Sequence, residues 1–298
     1  MLQELENMIR AVAGAAAGSV VSIGRNGRGS GFVIAKNRVV TSAHNLRDQT
    51  VAVTFADDRS EQGEVHAIDA DGDVVVISVP TGDATPLTFA ETVPEVGAAV
   101  VALGRGGHRA RTTVGFVSAR DQDFRGPRGR VVRGSIEHTA PLARGSSGGP
   151  VFDAAGDVVG INTHRAGDGF YLARGADTVL RTLIADLLEG RSRQRRTLGV
   201  AVAPSSVAAE LRLAVGLPER SGLLVRGVED NGPAARAGVL VGDLLVALGD
   251  RPLDTVDALA DALDQLTGDP STGDTVQLGI VRGADEVTLT VSFATPSA

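Results

Sequence analysis

The 298-residue chain contains no cysteine, no tryptophan, one tyrosine and, among its 29 basic residues, a single lysine, Lys36. Without cysteine no disulfide framework holds it together, and a hydrophobic content of 43% is the resource from which sizeable cores must be built. Acidic residues outnumber basic ones by 36 to 29, a formal net charge of −7 that argues against nucleic acid as a general partner. No apolar run is long enough to span a bilayer. No spacing of His, Asp and Glu resembles a metal site, and Gly104-Arg105-Gly106-Gly107 reads as a turn because no phosphate-loop lysine follows it. The expected chemistry therefore uses no metal and no cofactor.

What the chain does have is the hexapeptide Gly145-Ser146-Ser147-Gly148-Gly149-Pro150, with His44 and Asp73 upstream in that order. Val39-Val40 is strand-like and runs into Thr41-Ser42-Ala43-His44, so the imidazole is expected at a strand end. Asp73 opens Val74-Val75-Val76-Ile77-Ser78-Val79, a nearly continuous apolar run typical of a strand buried on both sides. Asp69 and Asp71 compete with Asp73 but do not directly open that run. The glycines around Ser147 permit a tight turn that presents its hydroxyl.

A hydroxyl is a weak nucleophile near neutral pH and needs a neutral imidazole to take its proton, with a carboxylate to hold the imidazole's tautomer. Ser147 is accordingly the candidate nucleophile, His44 the general base and Asp73 its orienter. The N–H groups of Gly145 and Ser147 are the candidate oxyanion donors. His, then Asp, then Ser is the chymotrypsin-like order of a serine protease. The remaining histidines, His66, His108, His138 and His164, have no comparable context and read as structural or exposed.

Gly29-Ser30-Gly31-Phe32-Val33-Ile34, the His44 and Asp73 segments, Gly145 to Pro150 and Val159-Gly160-Ile161-Asn162-Thr163 together resemble the protease domain of the high-temperature-requirement A (HtrA or Deg) family. Farther along, Leu198-Gly199-Val200, Ser221 to Val225, Pro233 to Gly238 and Gly242-Asp243-Leu244-Leu245 resemble a bacterial PDZ domain. The resemblance implies a mainly β chain: a chymotrypsin-like double β-barrel followed by a smaller α+β PDZ domain. It implies an ATP-independent serine endopeptidase acting on unfolded or misfolded proteins. In a PDZ domain an extended peptide adds as a strand and backbone N–H groups hold its terminal carboxylate. Leu198, Gly199 and Val200 are the residues the resemblance assigns to that role, with a helix starting at Thr255 as the other wall. The second class of function is a peptide-binding chaperone or scaffold whose protease fold is latent.

The boundaries expected are a protease domain over 1–189 with a helical segment at 1–15, a polar, arginine-rich linker over 190–196, and a PDZ domain over 197–298. Leu2, Leu5, Ile9 and Val12 recur at near-helical spacing, and their stripe packs on the protease domain or on a neighbouring subunit. The resemblance implies a homotrimer. Asp254 is the expected N-cap of a helix over Thr255 to Leu266, and strands are expected at about Thr275 to Val281 and Val287 to Phe293.

The segment before the nucleophile turn, with Pro141, Leu142 and Ala143, is expected to line the primary specificity pocket, joined by Asn162 and Thr163 from the family resemblance. It has no acid at its expected base, which argues against trypsin-like cutting after Lys or Arg and favours small or medium aliphatic side chains. Arg120 to Arg133 lies where the family has a loop relaying peptide occupancy to the oxyanion turn, and its Arg125, Arg128 and Arg130 are the candidates for that relay. Ala11 to Gly24 is a poor signal peptide, since Glu4 and Glu6 precede it and Ser19 to Ile23 looks like a strand. A cytoplasmic location is expected if the chain is complete, and a periplasmic or membrane-anchored one if an N-terminal segment has been removed.

Overall fold

The computed structural model describes residues 2–25, 27–106, 109–125, 131–192, 196–266 and 275–293. Gly107, His108, Arg128, Arg130 and the linker residues 193–195 lie outside them. The chain divides into two compact units, Met1–Arg193 and Gln194–Ala298.

The first unit begins with helix α1 (Leu2–Ala16), which ends one residue beyond the expected helical segment at 1–15. Strands β1 (Val20–Ile23), β2 (Gly29–Ala35), β3 (Arg38–Thr41), β4 (Thr50–Thr54), β5 (Ser60–Asp69) and β6 (Val74–Ser78) close into one barrel in the order β1-β2-β3-β6-β5-β4. Strands β7 (Ala99–Gly106), β8 (Arg109–Arg125), β9 (Val131–His138), β10 (Pro150–Phe152), β11 (Val158–Gly167) and β12 (Phe170–Gly175) close into a second, ordered β10-β11-β12-β9-β8-β7. Helix α2 (Thr178–Leu188) follows, its N-cap Asp177 accepting from the Leu180 N–H.

Side-chain alternation explains why β6 reads as continuously apolar. Ile77 points into the first barrel with Val21, Val33, Val39 and Val53. Val74 and Val76 point the other way, into a core shared with Val101, Leu103, Phe152 and Ile161 of the second barrel. A strand buried on both faces has no polar alternate. The same shared core takes Val12 and Ala16 of α1 and Leu180, Leu183, Ile184 and Leu187 of α2, with Ile9 packed against it, so this end of the α1 stripe packs on its own unit while Leu5 is exposed. Residues Gly190 to Ser192 are also tied to this unit rather than free: Arg191 pairs with Asp186 at 2.7 Å and Ser192 Oγ accepts from Ile68 N–H at 3.1 Å.

The second unit is a sheet of β13 (Val200–Ala203), β14 (Leu223–Val228), β15 (Leu244–Leu248), β17 (Thr275–Arg282) and β18 (Asp285–Ser292), with β16 (Arg251–Pro252) paired to β15. Three helices accompany it: α3 (Ser205–Ala214), α4 (Pro233–Ala237) and α5 (Val256–Asp264). Pro233 opens α4 and Gly238 closes it in the left-handed conformation, φ +87°. Helix α5 is shorter than expected and is capped by Thr255, whose hydroxyl accepts from Ala258 N–H; Asp254 instead accepts from Ser221 Oγ at 2.7 Å. Helix α3 was not anticipated, because Ser205 to Ala214 leaves Val207, Leu211 and Leu213 exposed and so lacks a clean apolar stripe.

Leu183 is fully buried in the shared core, whereas Val179, one turn earlier on α2, is 59% exposed. Leu183→Ala is expected to destabilise the chain by about 2–5 kcal/mol and Val179→Ala by less than about 0.5 kcal/mol, read from urea denaturation midpoints.

Candidate active site

Strand pairing assembles the three candidate residues. β3 lies beside β6, Thr41 opposite Val75, so the turn after β3 that carries His44 meets the residue before β6, Asp73. His44 Nδ1 lies 2.7 Å from Asp73 Oδ2 and 2.9 Å from Oδ1, and the His44 backbone N–H donates to Oδ1 at 3.0 Å. Asp73 is 3% exposed and its backbone is left-handed, φ +58°. The rival Asp69 is occupied differently, accepting from Gly72 N–H at 2.9 Å.

Ser147 comes from the second barrel, on the turn before β10. Its Oγ lies 2.8 Å from His44 Nε2 and 3.1 Å from the Thr163 carbonyl oxygen. With Nδ1 facing a carboxylate, the imidazole keeps its proton there and leaves Nε2 free to accept the Ser147 proton. Thr163, expected in the pocket, belongs to this cluster: its hydroxyl donates to Asp73 Oδ2 at 3.1 Å.

The oxyanion turn has a defined shape. Ser146 N–H bonds to Ala143 O at 3.2 Å, and Gly145, third of the four residues, has φ +86°. A positive φ at that position is the requirement of a type II turn. A Cβ on Gly145 would also stand 2.5 Å from the Gly27 carbonyl oxygen, and one on Gly148 2.3 Å from Ser30 O, so side chains are excluded from both. Among the described residues neither Gly145 N–H nor Ser147 N–H donates to another protein group, which leaves both available to an incoming oxygen.

Two residues that sequence reasoning missed hold the turn against the first barrel. Asn45, 3% exposed, donates to Ser147 O at 2.9 Å and to Thr41 Oγ1 at 3.0 Å. Ser30 N–H donates to Ser147 O at 2.8 Å. Asn45 directly follows His44, but nothing in a single sequence tells a buried asparagine from an exposed one. Phe124, near the end of β8, packs against His164 at 5.4 Å between ring centroids, and His164 lies 6.2 Å from His44. Of the arginines proposed as a relay, Arg128 and Arg130 lie outside the described residues.

Pro141, Leu142 and Ala143 line a cavity of about 310 Å³ together with Ala102, Thr113 and Ser146. No member of the His44, Asp73, Ser147 set borders it. An open cleft of about 530 Å³ adjoins His44, lined by Leu46, Arg47, Gln49, Val65 and Ile68. Asn162 is fully buried and does not face open space; its Oδ1 is 3.0 Å from His138 Nε2. His138 is thus structural, stacked on Tyr171, with its Nδ1 buried and without a partner among the described residues. No three His, Asp or Glu side chains among the described residues gather closely enough to hold a metal ion.

In the second unit Leu198 is buried, and its carbonyl accepts from Ala234 N–H. Gly199 is left-handed at φ +71°, and its carbonyl accepts from Glu229 N–H. Val200 begins β13, which among the described residues is an edge strand paired with β14 alone. Leu198 shares a core with Leu259 and Leu263 of α5.

Comparison with known proteins bears on the family and fold of both units. Residues 29–161 match the trypsin-like peptidase domain family and residues 197–293 the PDZ domain family. The chain is 30% identical over 276 residues to a probable periplasmic serine endoprotease, DegP-like, of Halomonas elongata, covering 90% of this chain and 56% of that protein. It is 31% identical over 275 residues to the one of Pseudomonas fulva, with the same coverage. The chain therefore spans little more than half the length of these relatives. Among solved structures, an HtrA-type protease, AlgW, with a decapeptide superposes with a TM-score of 0.68 at 20% identity, over 95% of this chain and 97% of that one. A serine endoprotease from Yersinia pestis gives 0.66 at 20% identity, over 95% and 96%. These likenesses establish the fold. The relatives' names, periplasmic serine endoproteases, overturn the expectation of a cytoplasmic location, which is conditional on a complete chain.

Burial holds the His138 pKa below its ordinary 6.5, against the opposing pull of Asn162 and Glu137. The unfolded chain therefore takes up a proton as the pH falls through about 6.5 while the folded chain does not, so stability is full above that pH and declines below it. His138→Gln, which keeps a donor toward Asn162 and cannot titrate, is expected to flatten the decline between pH 7 and 5 in denaturation midpoints.

Proposed function

We propose that this chain, as a member of the HtrA/Deg family of serine proteases, is an ATP-independent endopeptidase cleaving unfolded or misfolded proteins through an acyl-enzyme. The observation that carries the reading is the continuous hydrogen-bonded chain Asp73, His44, Ser147, with contacts of 2.7 and 2.8 Å. His44 takes the Ser147 proton as Oγ attacks the scissile carbonyl. The oxygen of the tetrahedral intermediate lies against the N–H groups of Gly145 and Ser147. His44 then protonates the leaving amine, and water, deprotonated by His44, releases the acyl group. Each oxyanion donor is worth on the order of 10²–10³ in rate. The assembled contacts favour this reading over a scaffold with a latent protease fold.

The second unit, in this reading, binds C-terminal peptides. The edge position of β13 among the described strands supports strand addition there, and the reading assigns the Leu198-Gly199-Val200 turn to the terminal carboxylate. Substrates and peptides with apolar side chains suit the acid-free approach to the nucleophile. The compartment proposed is the periplasm, as the names of the relatives state for them. A homotrimer is part of the same proposal, and sedimentation velocity distinguishes it from a monomer.

The purified chain is expected to degrade casein, and Ser147→Ala to lose that activity entirely; casein left intact by both proteins, with and without a peptide ending in an apolar residue, would sink the endopeptidase reading. Titrated into Ser147→Ala, a peptide with a free C-terminal carboxylate is expected to bind at least about tenfold tighter than its C-terminal amide, the size of one lost charge-assisted hydrogen bond. Equal affinities would exclude carboxylate capture.

A further inference from the structure

The hydroxyl of Ser30 hydrogen-bonds to neither His44 nor Ser147 among the described residues, yet it grips the oxyanion turn. Ser30 lies on β2 of the first barrel and is fully buried. Its hydroxyl donates to the Gly145 carbonyl oxygen at 2.6 Å, across 115 residues of sequence, and accepts from the Arg105 backbone N–H at 2.8 Å. The second bond fixes the sense of the first. An oxygen that already receives a proton from Arg105 turns its own proton toward Gly145. Arg105 is held in place in turn, since its Nε donates to Val20 O at 3.1 Å.

We propose that Ser30 is a positioning residue that sets the orientation of the oxyanion turn, and so acts on turnover rather than on substrate binding. The inference rests on the serine protease reading above. The geometry is specific to the peptide unit between Gly145 and Ser146. Ser30 Oγ holds its oxygen and Ala143 O receives its N–H, so the unit is pinned at both ends. With that unit fixed and Gly145 at φ +86°, rotation of the neighbouring Arg144–Gly145 peptide, which carries the Gly145 N–H, is restrained in this proposal. Ser30 acts at the far side of the same site through its main chain: its N–H holds Ser147 O, and its carbonyl receives the Thr41 hydroxyl at 2.5 Å. One residue of the first barrel therefore clamps the carbonyls that follow both oxyanion donors.

A hydroxyl lost from this position removes the grip on Gly145 and leaves the main-chain grip on Ser147. Oxyanion donors act mainly in the transition state, so the effect falls on kcat. Ser30→Ala in the full chain is expected to lower kcat on a peptide substrate by about 10- to 100-fold with KM changed less than about twofold. A peptidyl boronate, whose tetrahedral adduct occupies the oxyanion site, is expected to bind Ser30→Ala weaker by a similar factor. The wild-type chain and Ser147→Ala run beside it. A wild-type chain without activity sinks the protease reading itself, whereas an active wild type with an equally active Ser30→Ala sinks only this inference. Ser30→Cys, which keeps a weaker donor in place, is expected to fall between the two. Loss of kcat together with loss of cooperative unfolding in both variants, or boronate affinity unchanged while kcat falls, would make Ser30 a merely structural residue and overturn the proposal.

Discussion

Everything at the candidate site depends on two closed barrels packed face to face. His44 and Asp73 stand on one barrel and Ser147 on the other, so the 2.8 Å contact between Ser147 and His44 exists only while the shared apolar core keeps the barrels in register. Hydrophobic packing is non-directional and tolerates small shifts, whereas proton transfer does not. The polar contacts across the seam supply the direction that the core lacks: Asn45 and Ser30 reach from the first barrel to carbonyls of the second. Burial assembles the barrels, and these bonds fix how the nucleophile turn sits between them.

Much of this was legible in the sequence, and for identifiable reasons. The His44, Asp73 and Ser147 segments were readable because each couples a chemically distinctive residue to a strand-like run, and strand ends are where a barrel exposes its chemistry. The strand run after Asp73 was readable because both its faces are buried, which the structure explains by its place between the barrel interior and the seam. Pro233 and Gly238 marked the ends of α4 because each has a backbone preference independent of its neighbours.

What escaped was set by long-range contact. Helix α3 has no clear stripe, and the cap of α5 passed from Asp254 to Thr255 because Ser221, 33 positions away, claims Asp254. Asn162 and Thr163 were grouped as pocket residues, but a single step along β11 turns one inward to His138 and the other toward Asp73. His138 read as unremarkable because nothing local announces that a histidine will be enclosed. Serine and asparagine hydroxyls and amides are common on surfaces, so Ser30 and Asn45 gave no signal of their own.

The left-handed backbone of Asp73 bears on how the site can be interrogated. Asparagine and aspartate are the side chains that most readily accept a positive φ outside glycine. Alanine there would remove a negative charge and add conformational strain at once, and a β-branched residue would add more. Asparagine keeps the shape and the local turn while changing only charge and hydrogen-bonding sense. The carboxylate is thus a position where the chain's geometry narrows the usable replacements before chemistry is considered, and a knockout by alanine would report two quantities under one name.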